Sequence, residues 1–463
     1  MTSYDLIVLG GGTAGSAAAK TAHDAGATAV MFNDGELGGL CILRGCMPTK
    51  TMLHAAHLAH EAEHPATAGV RPTGLELDFA AIMANKDAKV ARFKSAKVMS
   101  IERGGYDVVD ARARFVGPTT VEAAGTIYEF TKGAVIATGS VATAAPFPGL
   151  ESVGFLTSDE VMDLTERPSS IAVVGSGATG SELAQFFARI GTEVSLLTRS
   201  RVGSKLDADI ADELARVFVA EPNLTLHNGV PPTGFAPSDR GVRVALRDGS
   251  EIDVELLVMA TGRAPNLEGL GLEAAGVEVS DGAVVAGPDL RTSNPNVFVA
   301  GDATGRDQLL HVANWEGAIA ASNALDPSVT HEVEQRLTME VIFLDPPLSW
   351  IGLSETEAVD RGYEPVVSLI RFAETGRAIT MDVRHGISKL VVDPTTGELL
   401  GAQVLGPRSD DLVHLLSSIM YYRGTVHDML ELPWYHPTIS EVFLSQARDL
   451  VAQVAPRVVD SVA

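Results

Sequence analysis

Tyr4-Asp5-Leu6-Ile7-Val8-Leu9 opens the chain with an apolar run that reads as a strand. Glycines interrupt it, an alanine-rich stretch from Ser16 to Ala25 reads as a helix, and after Gly26 a second strand is expected over Thr28 to Phe32. The alternation returns later in the chain. Ile171 to Val174 predicts a strand, Ser181 to Ile190 a helix, and Glu193 to Leu197 a strand behind Gly191. Val135-Ile136-Ala137 and Val258-Met259-Ala260 each end in a Thr-Gly turn, and Asn296 to Ala300 predicts a buried strand ending at Gly301-Asp302. Strands that alternate with helices imply an α/β architecture, and 463 residues exceed one hydrophobic core, so two to four domains are expected.

The turns between these elements carry chemistry. Gly10-Gly11-Gly12-Thr13-Ala14-Gly15 follows the first strand and opens the first helix; Gly175-Ser176-Gly177-Ala178-Thr179-Gly180 does the same in the second block. Each is a G-x-G-x-x-G between strand and helix, the order a dinucleotide site requires, because the glycines let pyrophosphate approach the helix N-terminus. Gly15 to Gly26 and Gly180 to Gly191 are the same interval, so the block is duplicated. Two such sites suggest two dinucleotides, most simply FAD and NAD(P)H. Asp302, at the end of a strand, is placed to accept hydrogen bonds from ligand hydroxyls.

Composition narrows the partners. A formal charge of −24 argues against nucleic acid and anionic membrane surfaces, since both demand exposed Lys and Arg. No run of about 18 apolar residues predicts a membrane helix. The N-terminus lacks a basic stretch followed by an apolar core, so no signal peptide and a cytoplasmic location are expected. The two cysteines, Cys41 and Cys46, lie five positions apart. Cytosolic chains rarely carry structural disulfides and two thiols do not complete a zinc site, which leaves a redox pair. His54, His57, His60 and His64 recur at helical spacing and suggest a metal site, but a polar helix face accounts for them and no metal is expected.

Gly38-Gly39-Leu40-Cys41-Ile42-Leu43-Arg44-Gly45-Cys46-Met47-Pro48-Thr49-Lys50 and His436-Pro437-Thr438-Ile439-Ser440-Glu441, with both glycine turns and the Gly-Asp motif in order, resemble the class I pyridine nucleotide–disulfide oxidoreductases, the group of dihydrolipoyl dehydrogenase, glutathione reductase and mercuric reductase. The resemblance covers nearly the whole chain. It implies two Rossmann-like dinucleotide-binding domains, for FAD and NAD(P), plus a C-terminal α+β dimerisation domain. The expected boundaries are 1–148 for FAD, 149–270 for NAD(P), 271–338 for a central segment returning to the flavin, and 339–463 for dimerisation. It further implies FAD contacts from Gly10, Gly12, Gly15, Lys50, Ala113, Thr138, Gly139, Ser140, Asp302 and the stretch Gln308, Leu309, Leu310, His311. Gly175, Gly177, Gly180 and Gly262 are expected at the nicotinamide dinucleotide. Where the family places a Glu for the FAD ribose, this chain has Asn33 followed by Asp34, so a different ribose contact is expected.

The resemblance makes Cys41 the interchange thiol and Cys46 the thiol facing the flavin. In a regular helix residues five apart rise about 7.5 Å, too far for a disulfide, so the pair requires an irregular segment at Gly45, with Pro48 marking the first helical turn. Cys46 then sits at a helix N-terminus, which stabilises a thiolate. His436 is expected to move protons in thiol–disulfide exchange, with Glu441 orienting it, supplied across a homodimer; Lys50 and Glu182 are expected to pair beside the flavin. Thr198 stands where NAD-using relatives carry Glu, and Arg199, Arg201 and Lys205 follow, which favours NADPH over NADH. The resulting expectation is a dihydrolipoyl dehydrogenase-like enzyme acting on a lipoyl group or small disulfide. The alternatives are an NADPH-dependent reductase of another low-molecular-weight disulfide, a quinone or a metal ion, or a non-catalytic flavoprotein subunit.

Overall fold

A computed structural model describes residues 2–65 and 67–456. The chain forms two compact units, each assembled from separate stretches. The first runs to Thr51 and returns over Met83–Thr143 and Gly262–Glu334; the second takes Met52–Ile82, Ala144–Thr261 and the chain from Gln335.

The first unit is built on a seven-stranded sheet. Thr2–Leu9 lies between Ala29–Asn33 and Thr126–Ile136, parallel to both, and Val297–Val299 joins the far side of Thr126–Ile136, also parallel. Side chains alternate across a strand, and here both faces are covered. Leu6, Val8, Met31, Val135 and Phe298 enter one core with helix residues Ala14, Ala18 and Ala320, while Ile7, Leu9, Val30, Phe32 and Ile136 enter the other. That is why the first strand reads as an unbroken apolar run. Helices Thr13–Asp24 and Leu310–Leu325 pack closely: a Cβ at Gly317 would lie 2.1 Å from the Ala14 carbonyl oxygen.

Within the second unit, Ser170–Val174, Glu193–Leu197, Leu224–His227 and Leu256–Met259 form a four-stranded parallel sheet, with helix Ala178–Arg189 following the first strand. A three-stranded antiparallel sheet, Pro232–Ser238, Gly241–Leu246 and Glu251–Val254, is appended. The C-terminal part carries a five-stranded antiparallel sheet whose strands Ile387–Val392 and Leu399–Leu405 are buried throughout, flanked by helices Ser409–Tyr421 and Glu441–Leu450. The mixed α/β fold is as expected from the alternation of elements. Both helices behind the glycine turns start three residues earlier than the alanine and apolar patterns suggest, at Thr13 and Ala178, because the turn's last three residues already belong to the helix. Among the described residues no helix is long and apolar enough to cross a membrane.

Met52–Ile82 groups with the second unit, and Gly262 opens the segment that returns to the first. Arg263–Pro265 pairs antiparallel with Ser140–Ala142, in the register Arg263 to Ala142 and Pro265 to Ser140. The Asn266 N–H donates to the Gly139 carbonyl at 2.9 Å. The two Thr-Gly turns that looked like separate strand ends are therefore stitched together.

Candidate active site

The two glycine turns share one geometry. Gly10 has φ +113° and Gly175 φ +111°, and a Cβ on either would lie 2.2 Å from a neighbouring carbonyl oxygen, that of Ala137 or Ala260. At the third glycines the backbone passes closer still: a Cβ on Gly15 would sit 1.8 Å from the Gly10 oxygen, and on Gly180 2.0 Å from the Gly175 oxygen. The middle positions are open. Gly177 meets nothing within 4 Å, and Gly12 meets only Gly39 Cα at 4.0 Å. Each following helix has no acidic residue in its first turn and no side-chain cap, so its leading N–H groups remain available to an anion. Tight outer glycines with an open middle one form a cradle that a dinucleotide pyrophosphate fits in both units. The buried Thr138 hydroxyl in the first unit has no protein partner among the described residues, as expected of a group reserved for a ligand.

The remaining residues expected at FAD are placed as follows. Asn33 Oδ1 accepts from the Gly11 N–H at 3.1 Å and its amide donates to the Gly35 carbonyl at 2.8 Å, so both ends of this side chain brace the turn. Asp34 is exposed, and Ala113 is buried in the core with Phe115 and Val121. Gln308 and Leu309 lead into helix Leu310–Leu325, which begins with Leu310 and His311 and has no acidic residue or side-chain cap at its start. The Ser140 hydroxyl donates to Asp302 Oδ2 at 2.6 Å and accepts from Arg263 Nε at 3.0 Å. Neither Arg263 nor Glu316 was singled out by sequence. Glu316 is buried and accepts from the Gly301 N–H at 2.7 Å; burial pushes its carboxyl up to about 7. The one acid in the mostly apolar stretch Val312 to Ala324 was the available signal.

The cysteine segment departs from regular helix where the spacing demands it. Leu40–Leu43 forms one helical turn, the chain breaks at Arg44 and Gly45, and a new helix, Cys46–Glu63, starts at the second cysteine. A side chain at Gly45 would press on Leu40 O at 3.1 Å and Cys41 Cα at 3.2 Å, so the return toward Cys41 needs glycine. Gly39, at φ +76°, passes the first glycine turn so closely that a Cβ would lie 3.0 Å from Gly12 Cα. Both sulfurs are half-buried thiols. The hydrogen bond to Cys46, followed by burial, pushes the Cys41 thiol up, with Lys50 opposing it more weakly.

In the second unit His436 Nδ1 lies 3.0 Å from Glu441 Oε1, and Glu441 Oε2 accepts the Thr438 N–H at 2.8 Å. That N–H and then His436 hold the Glu441 carboxyl below the usual range. The imidazole is 75% exposed on its own chain. A cavity of about 440 Å³ adjoins the dyad, lined also by Ile370, Thr375 and Ser445. Glu182 is buried and accepts the Phe343 N–H at 3.0 Å. Thr198 is buried with its hydroxyl donating to Ser200 O and accepting from the Gly229 N–H at 2.8 Å. Arg201 donates to the Leu206 carbonyl at 2.8 Å and so secures its own loop, while Arg199 and Lys205 are exposed. His57 and His60 face a buried network missed in the sequence. There Arg189 grips Glu221 at 2.8 and 3.0 Å and Asp345 at 2.7 Å, and burial, then Arg189, pulls His57 down to about 4.

Residues 4–317 match the family described as pyridine nucleotide-disulphide oxidoreductase, and residues 338–447 its dimerisation domain. Mercuric reductase of Staphylococcus aureus is 32% identical over 434 residues, covering 92% of this chain and 79% of its own. Dihydrolipoyl dehydrogenase of Thermus scotoductus is also 32% identical, over 98% of both chains. Among solved structures, the HOCl-induced flavoprotein disulfide reductase RclA from Escherichia coli superimposes with a TM-score of 0.85 at 25% identity, covering 96% of this chain and 99% of its own.

Proposed function

The chain belongs to the pyridine nucleotide–disulphide oxidoreductase family, and from that premise we propose that it reduces a small disulfide with NADPH through FAD and the Cys41–Cys46 pair. One observation carries the reading: the helix breaks at Arg44 and Gly45 and restarts at Cys46, with Cys41 hydrogen-bonded to Cys46 across that break. Thiol–disulfide exchange needs a base to form the attacking thiolate, and His436, fixed by Glu441, is suited to that role. The Cys41 thiolate attacks one sulfur of the substrate, the S–S bond breaks, and the departing thiolate receives a proton from His436. Cys46 then attacks the mixed disulfide at Cys41, closing the Cys41–Cys46 bond and releasing a second thiol. Bound FAD supplies the route by which two electrons from NADPH return the pair to dithiol.

The match to the dimerisation domain and the exposure of His436 support a homodimer in which each chain presents its imidazole to the other's cysteines. Exposed Arg199 and Lys205, with no acid at Thr198, support NADPH as donor. Relatives that act on lipoyl groups and on mercury frame the substrate choice. The test has two arms. After two-electron reduction the protein develops a long-wavelength thiolate-to-flavin band; Cys41→Ser shows it without reduction and Cys46→Ser lacks it. Steady-state turnover with NADPH is then compared across lipoamide, glutathione disulfide, other small disulfides, quinones and Hg(II). Identical spectra for the two variants overturn the roles of the sulfurs, and turnover of quinone or Hg(II) alone overturns the disulfide substrate.

A further inference from the structure

Arg263 stands where the chain re-enters the first unit, on the short strand paired with Ser140–Ala142. Its guanidinium holds Ser140 at two points: Nε donates to the hydroxyl at 3.0 Å and Nη2 to the carbonyl at 3.1 Å. Arginine has no acceptor, and a serine hydroxyl has one proton. With Arg263 donating into Ser140 Oγ, that proton has to go elsewhere, and it goes to Asp302 Oδ2 at 2.6 Å. The polarity of the chain from Arg263 through Ser140 to Asp302 is therefore fixed. One oxygen of Asp302 is consumed, and no described protein donor is recorded at the other. Asp302 is braced from behind as well. It lies in the turn Gly301–Thr304, whose first N–H is captured by buried Glu316 at 2.7 Å.

We infer that Arg263 is a positioning residue for FAD: acting through the Ser140 hydroxyl, it orients Asp302 so that the free carboxylate oxygen meets a hydroxyl of the FAD chain. Family membership supplies FAD as the occupant of this unit, so the inference does not depend on the disulfide chemistry proposed above. A planar fork holds both the hydroxyl and the carbonyl of one residue, which a lysine ammonium on a flexible stem does not reproduce. Removing the fork frees the Ser140 hydroxyl to rotate, and Asp302 loses its fixed partner.

The test is FAD affinity, read by flavin fluorescence on titrating apoprotein, together with the midpoint potential of bound flavin. Ser140→Ala and Arg263→Met each weaken FAD binding by about tenfold to a hundredfold, the range for a hydrogen bond to a charged group. Ser140→Thr, which keeps the hydroxyl, stays within about threefold of wild type, and Arg263→Lys recovers only part of the loss. The decisive readout is the double variant. In the Ser140→Ala background, Arg263→Met adds little further loss, because the two residues act in series. Full additivity assigns Arg263 to direct FAD contact or to the fold and overturns the inference, as does FAD affinity within twofold of wild type in Ser140→Ala. The serine variants keep the test intact should Arg263→Met fail to fold.

Discussion

Glu316 is a buried carboxyl whose charge the fold opposes. It is 2% exposed and its carboxyl is pushed up to about 7 by burial, against an ordinary value of 4.5, with the Gly301 N–H pulling the other way. Between those two values the folded chain holds a proton that the unfolded chain has released. Stability therefore falls as pH rises through this window, and the full loss is present above pH 7. At 1.36 kcal/mol per pKa unit the penalty at pH 8 reaches about 3 kcal/mol. Glu316→Gln keeps an acceptor for the Gly301 N–H and removes the ionisation. Urea unfolding of both proteins, saturated with FAD, gives equal stabilities near pH 4.5. The variant then gains on wild type to about 3 kcal/mol at pH 8. Parallel stability curves from pH 4.5 to 8 would refute the assignment of the burial penalty to this carboxyl.

The paired glycine turns make a contrast: Gly180→Ala drives a methyl into the Gly175 carbonyl and collapses thermal stability, whereas Gly177→Ala folds normally and loses NAD(P)H affinity, measured by calorimetry. Glu221→Ala removes one of the two carboxylates on the buried Arg189 guanidinium, leaving only Asp345, and destabilises the protein in urea unfolding by more than Glu398→Ala at the exposed Arg423 pair, which costs less than about 1 kcal/mol. Glu441→Gln keeps the fold but loosens His436, lowering kcat/KM by about tenfold to a hundredfold in steady-state assays. Thr198→Glu with Arg199→Ala shifts the kcat/KM ratio from NADPH toward NADH by about tenfold to a hundredfold; wild type that prefers NADH contradicts the arginine's role.

Local rules carried the glycine turns, the buried parallel strands and the break at Gly45, because each is dictated within a few residues by sterics and hydrogen-bond geometry. Cys46 at a helix start followed from Pro48 alone. What the sequence concealed are contacts between residues far apart in the chain. Nothing near Arg263 announces Ser140, which lies 123 positions earlier, nor does Arg189 announce Asp345, 156 positions later. Sequence also does not show that the Arg201 guanidinium braces its own loop through the Leu206 carbonyl at 2.8 Å. The Gly262 carbonyl likewise accepts the Thr143 N–H at 3.0 Å, a contact across 119 positions that no local pattern announces.

The ladder joining Ala142 to Arg263 also says something about how such a chain is assembled over generations. The stretch between Thr143 and Gly262 leaves and rejoins the first sheet's unit at adjacent strands, about 4.8 Å apart. An insertion whose ends meet in this way leaves the host's path unchanged, whatever its length. The inserted stretch is nonetheless tied at a second place, because Arg189 pairs with Asp345 and Glu182 accepts the Phe343 N–H, both beyond its end. A related stretch grafted between these two points therefore keeps its hold only if the Phe343–Asp345 segment is matched with it.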